Sequence, residues 1–248
     1  MSDILIRDGI YFLITFVLST VFAMGGVGSA IALVPTLSML GVPFNLAKSI
    51  GLFVNSASTI TASVMNLRRG VLDIRFALPL VIAVVMATPA GAWLSRYVPE
   101  HDVKWVLAVF MLISAGLLLF SKREAKVAYD RAWVMIVLGG GVGLVSGLIG
   151  VGGGAPILAV LVLLGFDAKK AAYAVTFVIP FSTLSGFFTY LHFVHMDWIL
   201  LGVVGFGAML GGYLGGRIMH YSLKPAQIKK LIAILLLGLA GKMIWSLV

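Results

Sequence analysis

The sequence predicts an all-α polytopic membrane protein built from two inverted-topology repeats. Three observations carry this prediction: the composition, a repeat of half the chain length, and the placement of lysine and arginine. Hydrophobic residues make up 61% of the chain and charged residues 11%, whereas soluble domains contain about 25% charged residues. We therefore expect one integral membrane domain and no separate soluble domain.

The apolar runs between charged residues set the predicted helices. Most of them approach or exceed the roughly 20 residues needed to cross the hydrocarbon core of a bilayer. The charge-free runs are 9–47, 49–67, 76–95, 105–121, 132–166, 171–191 and 198–216, then 231–241, which continues past Lys242 to the end. The first run lacks a convincing cleavage site, so no removed signal peptide is expected.

The two halves of the chain match at a constant offset of 124 positions. Fixed-period similarity of this kind is the signature of an internal repeat. The clearest pairs are Gly26 with Gly150, Gly28 with Gly152, Asp73 with Asp197, Gly91 with Gly215, and Tyr97 with Tyr221. The sequence therefore predicts a first repeat over residues 1–124 and a second over 125–248.

Each half begins with an apolar run too long for one straight helix. The 39 residues of run 9–47 would form a helix about 58 Å long, roughly twice the hydrocarbon thickness. Glycines cluster inside both overlong runs, as GGVG at 25–28 and GVGGG at 150–154. Each run either crosses once as a broken, tilted element or folds back as a pair of shorter helices.

The positive charges favour the fold-back alternative. Single crossings would divide the eighteen lysines and arginines evenly, whereas fold-back pairs place thirteen of them on one side. An excess of lysine and arginine marks the cytoplasmic side. Loops 68–75, 122–131, 165–170 and 217–230 are then cytoplasmic and both termini lie outside.

The same model gives an odd number of crossings per half, which inverts the second repeat relative to the first. Each repeat is then a glycine-broken fold-back helix pair followed by three transmembrane helices. Inverted repeats are typical of secondary transporters, with the working site near the membrane midplane. Whether the fold-back helices span fully or only re-enter stays open at this stage.

The glycine breaks are the first half of a predicted substrate site. A helix restarts after each break, and its free N–H groups and positive dipole end favour a small anion. Close helix packing is the alternative role, as expected for the glycines of GGYLGG at 211–216. The candidate residues at the breaks are Gly25, Gly26, Gly28, Ser29, Gly150, Gly152, Gly153 and Gly154.

Polar side chains on the next span of each half complete this site. Their amide and hydroxyl groups can bond a ligand, or can bond their own backbone and a neighbouring helix. The symmetry of the two bands favours ligand contact, and Pro180 is expected to kink the second band. The candidate residues are Asn55, Ser58, Thr59, Thr176, Ser182 and Thr183.

Several kinds of chemistry are not expected. The only charged residue placed inside a predicted span is Lys242, so an acidic proton relay is absent. His192 and His195 form too small a donor set for a metal site, and no serine, base and acid come together. We therefore expect no metal, no cofactor and no enzymatic activity, and the basic net charge reflects cytoplasmic loops rather than nucleic-acid binding.

Two segments resemble the sulfite exporter TauE/SafE family of membrane permeases. They are GLIGVGGGAPILAVLVLLGFDAKKAAYAVTF at 147–177 and its weaker copy, AMGGVGSAIALVPTLSMLGVPFNLAKSIGLFVNSAS at 23–58. The resemblance implies transport of sulfite, sulfonates or related organosulfur anions across the cytoplasmic membrane. The first copy departs from the second by having Ser29-Ala30 where the second has Gly153-Gly154.

Together these observations predict a secondary transporter of a small anion that works by alternating access around the two glycine breaks. A passive anion or small-solute channel is the first alternative, and a non-transporting membrane scaffold is the second. The expected partners are a small anion and the lipid bilayer of the cell membrane. The sequence leaves open whether the protein is a monomer or a homodimer.

Overall fold

The computed structural model describes residues 2–120, 132–221 and 225–247, and within these ranges the chain is all α-helical. Ten helices follow one another without any strand in the described residues. They are α1 (Ser2–Met24), α2 (Ala30–Met39), α3 (Phe44–Arg68), α4 (Ile74–Leu94), α5 (Glu100–Phe120), α6 (Ala132–Ile149), α7 (Gly154–Leu163), α8 (Ala168–Tyr190), α9 (Trp198–Tyr221) and α10 (Pro225–Trp245). The predicted all-α class is confirmed, and the 122–131 connector lies outside the described residues.

Seven helices of the described chain are long and apolar enough to cross a bilayer. These are α1, α3, α4, α5, α6, α8 and α9, whereas α2 and α7 have ten residues each. A ten-residue helix is about 15 Å long, which is half the hydrocarbon thickness. α10 has 21 residues but carries Lys229, Lys230 and Lys242, and it is not among the seven.

The first overlong run folds back on itself. The hydroxyl of Tyr11, in the first half of α1, donates to the Leu40 carbonyl just after α2, over 3.4 Å. In the second run, Gly153 at the start of α7 lies against Val142, in the middle of α6. Each short helix therefore runs back beside the longer helix that precedes it.

The helices recur along the chain at the spacing of the sequence repeat. Residues 30–39 of α2 and 154–163 of α7 are 124 positions apart at both ends. The starts of α3 and α8, and of α4 and α9, are also 124 positions apart. Every helix of the first half thus has a counterpart of similar length in the second.

Glycines allow two helix pairs to pack closely. A Cβ on Gly211 or Gly215 of α9 would collide with the backbone of α1 at Phe16 or Thr20. Gly147 of α6 packs in the same way against the Thr88 carbonyl of α4. The predicted packing role of GGYLGG is therefore confirmed. Small residues let helix backbones approach closely, and this packing matters because the hydrophobic effect does not drive helices together in lipid.

Helices α3 and α8 form the buried centre of the protein, between the α1–α9 and α4–α6 pairs. They are the two most buried of the seven long apolar helices. The outer helices instead expose large apolar side chains such as Met86, Phe120 and Ile199. This arrangement suits a protein surrounded by lipid, where apolar side chains face outward and polar groups are satisfied inside.

Candidate functional site

The two glycine turns each rest on a central helix of the other half. Gly26, between α1 and α2, has φ +69° and lies against Ala172 of α8. Gly150, between α6 and α7, has φ +73° and lies against Lys48 of α3. Glycine is required at both positions, because a side chain would be strained at this φ and would also collide with the facing helix.

The turns come together at the middle of α3 and α8. A Cβ on Gly154 would lie 3.4 Å from the Gly28 backbone nitrogen, so the second turn touches the first. Gly28 and Gly152 both lie against the side-chain amide of Asn55. Asn55 is 11 residues from the start of α3 and 13 from its end, about 16 Å and 20 Å along the helix axis.

Asn55 is the chemically unusual residue of this centre. It is 0% exposed, and neither its Oδ1 nor its Nδ2 has a hydrogen-bond partner among the described residues. Buried polar side-chain atoms normally have at least one partner, since burying an unsatisfied group costs about 1–3 kcal/mol. A buried amide without a hydrogen-bond partner, in the middle of a transmembrane helix, is a candidate ligand-binding group.

Two helix N-termini accompany this amide. α2 begins after Ser29 and α7 after Gly153, and neither start has a hydrogen bond from a capping side chain. The Ser29 hydroxyl instead pairs with the Ser19 hydroxyl over 3.0 Å. The first N–H groups of a helix lack intrahelical partners and carry its positive dipole end, so both starts favour a negative charge.

Thr183 brings a hydroxyl group to this centre. Its methyl group lies against Gly152, and its hydroxyl is 2.6 Å from the Ser56 hydroxyl and 2.8 Å from the Ile179 carbonyl. Ser56 and Thr183 therefore join α3 to α8 beside Asn55. Ser56 belongs to the polar band in the sequence but was not among the candidate site residues.

Other hydroxyl groups of the predicted site bond the backbone or a neighbouring helix. Thr59 bonds the Asn55 carbonyl over 2.5 Å, and Thr176 bonds the Gly26 carbonyl over 3.1 Å and so holds the first turn. The Ser182 hydroxyl is 2.8 Å from the Thr88 hydroxyl of α4. These groups support the helices around the centre rather than lying between the turns.

Three further candidates lie away from the Asn55 amide. Gly25 packs against Ile232 of α10, and Gly153 packs against Val142 of α6. The backbone of Ser58 packs against Gly212 of α9. The structure therefore gathers Gly28, Asn55, Gly152, Gly154 and Thr183 into one contact group, which we call the central site.

Sequence reasoning misplaced Lys48. It was treated as a residue between two spans, and this was wrong, because α3 begins at Phe44 and Lys48 is 1% exposed within that helix. Its Nζ is 2.5 Å from the Ser95 hydroxyl at the end of α4. The available signal was Gly41 and Pro43, which mark a helix boundary before Lys48 rather than at it.

The described residues contain no group of three or more histidine, aspartate or glutamate side chains placed to hold a metal ion. The long apolar helices and the buried polar centre define a multi-pass membrane protein with an internal polar site. Its polar groups are the Asn55 amide, the hydroxyls beside it and two helix N-termini, and helix N-termini favour anions.

Comparison with known proteins assigns the family. The family model described as Sulfite exporter TauE/SafE matches residues 11–243, which is most of the chain. The chain therefore belongs to the sulfite exporter TauE/SafE family, as the sequence motifs predicted. Membership makes it a membrane transporter, and the family is one of transporters rather than enzymes.

Similar proteins occur in distant organisms. The probable membrane transporter protein YdhB of Bacillus subtilis (strain 168) is 24% identical over 242 residues, covering 92% of this chain and 96% of the relative. A probable membrane transporter protein of Haemophilus influenzae is 26% identical over 243 residues, covering 96% and 94%. A third, MJ0441 of Methanocaldococcus jannaschii, is 23% identical over 193 residues, covering 72% and 70%.

Proposed function

We propose that this protein is a secondary transporter that binds a small sulfur oxyanion at the central site and carries it by alternating access. The observation that carries the proposal is the buried, unpartnered amide of Asn55 between two helix N-termini. An anion held there would receive hydrogen bonds from the amide and from backbone N–H groups of α2 and α7. Water-free surroundings strengthen such bonds.

The inverted arrangement of the repeats explains why two helix starts can meet at one anion. In this proposal, repeats 1–124 and 125–248 cross the membrane in opposite directions, so α2 and α7 reach the midplane from opposite faces. The equal spacing of the helix pairs along the chain supports this arrangement. Secondary transporters use the same principle, pointing half-helix N-termini at anionic groups near the midplane.

Alternating access follows from the way each turn closes one side. Gly26 rests on α8, where Thr176 bonds its carbonyl, and Gly150 rests on α3. The Tyr190 hydroxyl donates to the carbonyls of Gly147 and Leu148 just before the second turn, over 3.0 and 3.2 Å. Movement of one turn off its helix would open the central site to one face while the other turn keeps it closed.

The substrate class comes from the family rather than from the site geometry. The site offers donors and positive dipole ends, which fit a small oxyanion, and the family description names sulfite. Sulfite, a sulfonate or a related organosulfur oxyanion is therefore the proposed substrate. The protein is proposed to act in the cytoplasmic membrane with both termini outside.

A passive channel is the competing function, and burial of the centre favours the carrier. Asn55 and Thr183 are 0% exposed and Ser56 is 1% exposed, so the central site is closed to both faces. Proteoliposomes loaded with unlabelled sulfite should take up labelled sulfite against its gradient by counterflow, with a rate that saturates. Linear, non-saturating flux without counterflow would establish a channel, and no flux of any oxyanion would remove the transport proposal.

A binding screen tests the substrate class separately. Purified protein should gain thermal stability from its substrate, because a ligand that binds only the folded state stabilises it. The compounds to compare are sulfite, thiosulfate, sulfate, sulfoacetate and taurine. A shift with the sulfur oxyanions and none with sodium chloride at equal ionic strength is expected, and equal shifts with all salts would contradict anion recognition.

A further inference from the structure

Lys48 is a buried lysine that lies beside the second glycine turn. Its side chain passes Gly150, and its ammonium group reaches the Ser95 hydroxyl at 2.5 Å. The ammonium also lies 4.9 Å from the centre of the Phe44 ring and 5.4 Å from that of Tyr190. Aromatic faces of this kind stabilise a cation without neutralising it.

No carboxylate among the described residues forms an ion pair with Lys48. The nearby Glu100 instead pairs with Lys104 over 2.6 Å. A buried ammonium is normally paired, because desolvating an isolated charge is costly. An ammonium group has three N–H donors, and the hydroxyl of Ser95 accepts one of them. Lys48 therefore has N–H donors left for an anion, and an anion beside it would stabilise its charged form.

Lys48 and the central site lie at the two ends of the same turn. Lys48, Gly51 and Asn55 are spaced i, i+3 and i+7, which places them on one face of α3. The turn runs along this face: Gly150 contacts Lys48, a Cβ on Gly51 would be 3.4 Å from the Gly150 carbonyl oxygen, and Gly152 contacts Asn55. Lys48 is seven positions before Asn55, about 10 Å along the helix.

We propose that Lys48 and Ser95 form a second binding position for the transported oxyanion, on the route between the central site and the face where α4 ends. The anion would reach it when the turn at 150–153 moves off α3. This inference rests on the proposed transport function and adds a position to it. The equivalent residue in the other half is Ala172, so α8 carries no cation at this position.

The two faces of the transporter are therefore expected to differ in apparent affinity for the anion. Sulfite arriving from the face where α4 ends passes Lys48, whereas sulfite arriving from the other face passes Ala172. Replacing the charge should affect the first route and leave the second almost unchanged. If Lys48 were merely structural, replacing it would affect both routes equally or would change only the stability of the protein.

The test measures the half-saturating sulfite concentration for uptake from each face, in vesicles that hold the transporter in a single orientation. Lys48→Met should raise it by about tenfold at the face where α4 ends, equivalent to about 1.4 kcal/mol, and change it little at the other. Lys48→Arg, which keeps the charge, should stay within about threefold of the native protein. Ser114→Ala, which alters a buried serine on α5, is the control.

An unchanged half-saturating sulfite concentration in Lys48→Met would overturn the second binding position. An equal rise in Lys48→Met and Lys48→Arg would overturn it as well. If Lys48→Met does not fold, Lys48→Gln is judged by the same criteria. Asn55→Leu separates this inference from the proposed function, because it should abolish uptake from both faces. Native protein that moves neither sulfite nor any other oxyanion overturns both proposals, whereas normal sulfite transport by the native protein and by Lys48→Met overturns only the position at Lys48.

Discussion

Gly28 lies directly against the side-chain amide of Asn55, so a turn from the fold-back pair touches the middle of the next helix. The contact is possible only because Gly28 has no side chain. Gly152 of the other half approaches the same amide. One asparagine therefore lies at the meeting point of two glycine turns that are far apart in the sequence.

The closeness of Gly152 to Asn55 predicts that a single methyl group disturbs the central site. A Cβ on Gly152 would meet the Asn55 amide and, at 2.6 Å, the Thr183 methyl group. Gly152→Ala should displace the amide, lower the affinity for sulfite by at least tenfold and cost about 1–3 kcal/mol of stability, as overpacking usually does. Isothermal titration with sulfite and thermal unfolding measure the two effects.

Gly140→Ala is the matched control for this substitution. A Cβ on Gly140 of α6 would meet no atom within 4 Å. This variant should keep the native affinity and gain up to about 1 kcal/mol of stability, since alanine favours a helix over glycine. Equal sulfite affinity in Gly152→Ala and Gly140→Ala would indicate that the glycines of the second turn serve helix packing and not sulfite binding.

The first turn offers a test by compensation. Gly26→Ala should destabilise the protein for two reasons. The backbone φ is +69°, and the new Cβ would lie only 2.6 Å from the Cβ of Ala172. The backbone strain alone costs about 1–2 kcal/mol. Adding Ala172→Gly should recover part of the collision energy, which a double-mutant cycle of thermal unfolding measures.

Gly41→Ala separates strain from collision in this experiment. Gly41 has φ +91°, but a Cβ there would meet nothing within 4 Å. Its alanine variant should therefore lose less stability than Gly26→Ala. No coupling between Gly26→Ala and Ala172→Gly would show that the first turn does not press on α8 in solution.

Much of the fold follows from sequence because membrane insertion leaves few choices. The long helices follow from apolar runs. The break in run 9–47 follows from its length and glycines, and its fold-back follows from the distribution of lysine and arginine. α2 and α7 end where glycine takes φ above +90°, at Gly41 and Gly165. Local composition is sufficient for these features, since backbone groups in lipid must be satisfied within helices.

The composition of the central site could not be read from sequence in the same way. Hydroxyls every three or four residues predict a polar band, but side-chain direction decides their partners. The Ser182 hydroxyl pairs with the Thr88 hydroxyl of α4, and the backbone of Ser58 packs against Gly212 of α9. Lys48 was missed because the apolar runs were divided at charged residues, which placed the start of the next helix after Lys48 rather than at Phe44.

The packing of α9 on α1 gives a stability prediction that is independent of transport. A Cβ on Gly215 would collide with the Thr20 carbonyl, whereas one on Gly202 would meet nothing within 4 Å. Gly215→Ala should lower stability by about 1–3 kcal/mol, because the α1 backbone must move. Gly202→Ala should be neutral or slightly stabilising, and thermal unfolding in detergent compares the two. Equal stability of the variants would mean that α1 and α9 are not in close contact.

The proposed topology can be mapped by single cysteines, because the native chain contains none. Tyr97 and Arg69 are both exposed, in the loops at opposite ends of α4. A membrane-impermeant maleimide added to intact cells should label Tyr97→Cys and not Arg69→Cys. Both should react after the cells are opened. Labelling of Arg69→Cys alone in intact cells would reverse the proposed orientation, and labelling of both would contradict the span between them.

The most direct measurement of the central claim is sulfite binding by Asn55→Leu, taken together with its stability. Leucine has a similar size and needs no hydrogen bond, so removing an unpartnered buried amide should leave the unfolding temperature unchanged or raise it. The account predicts that this variant folds as well as the native protein but shows no heat of sulfite binding, while Ser114→Ala binds normally. Native sulfite affinity in a folded Asn55→Leu variant would contradict the account.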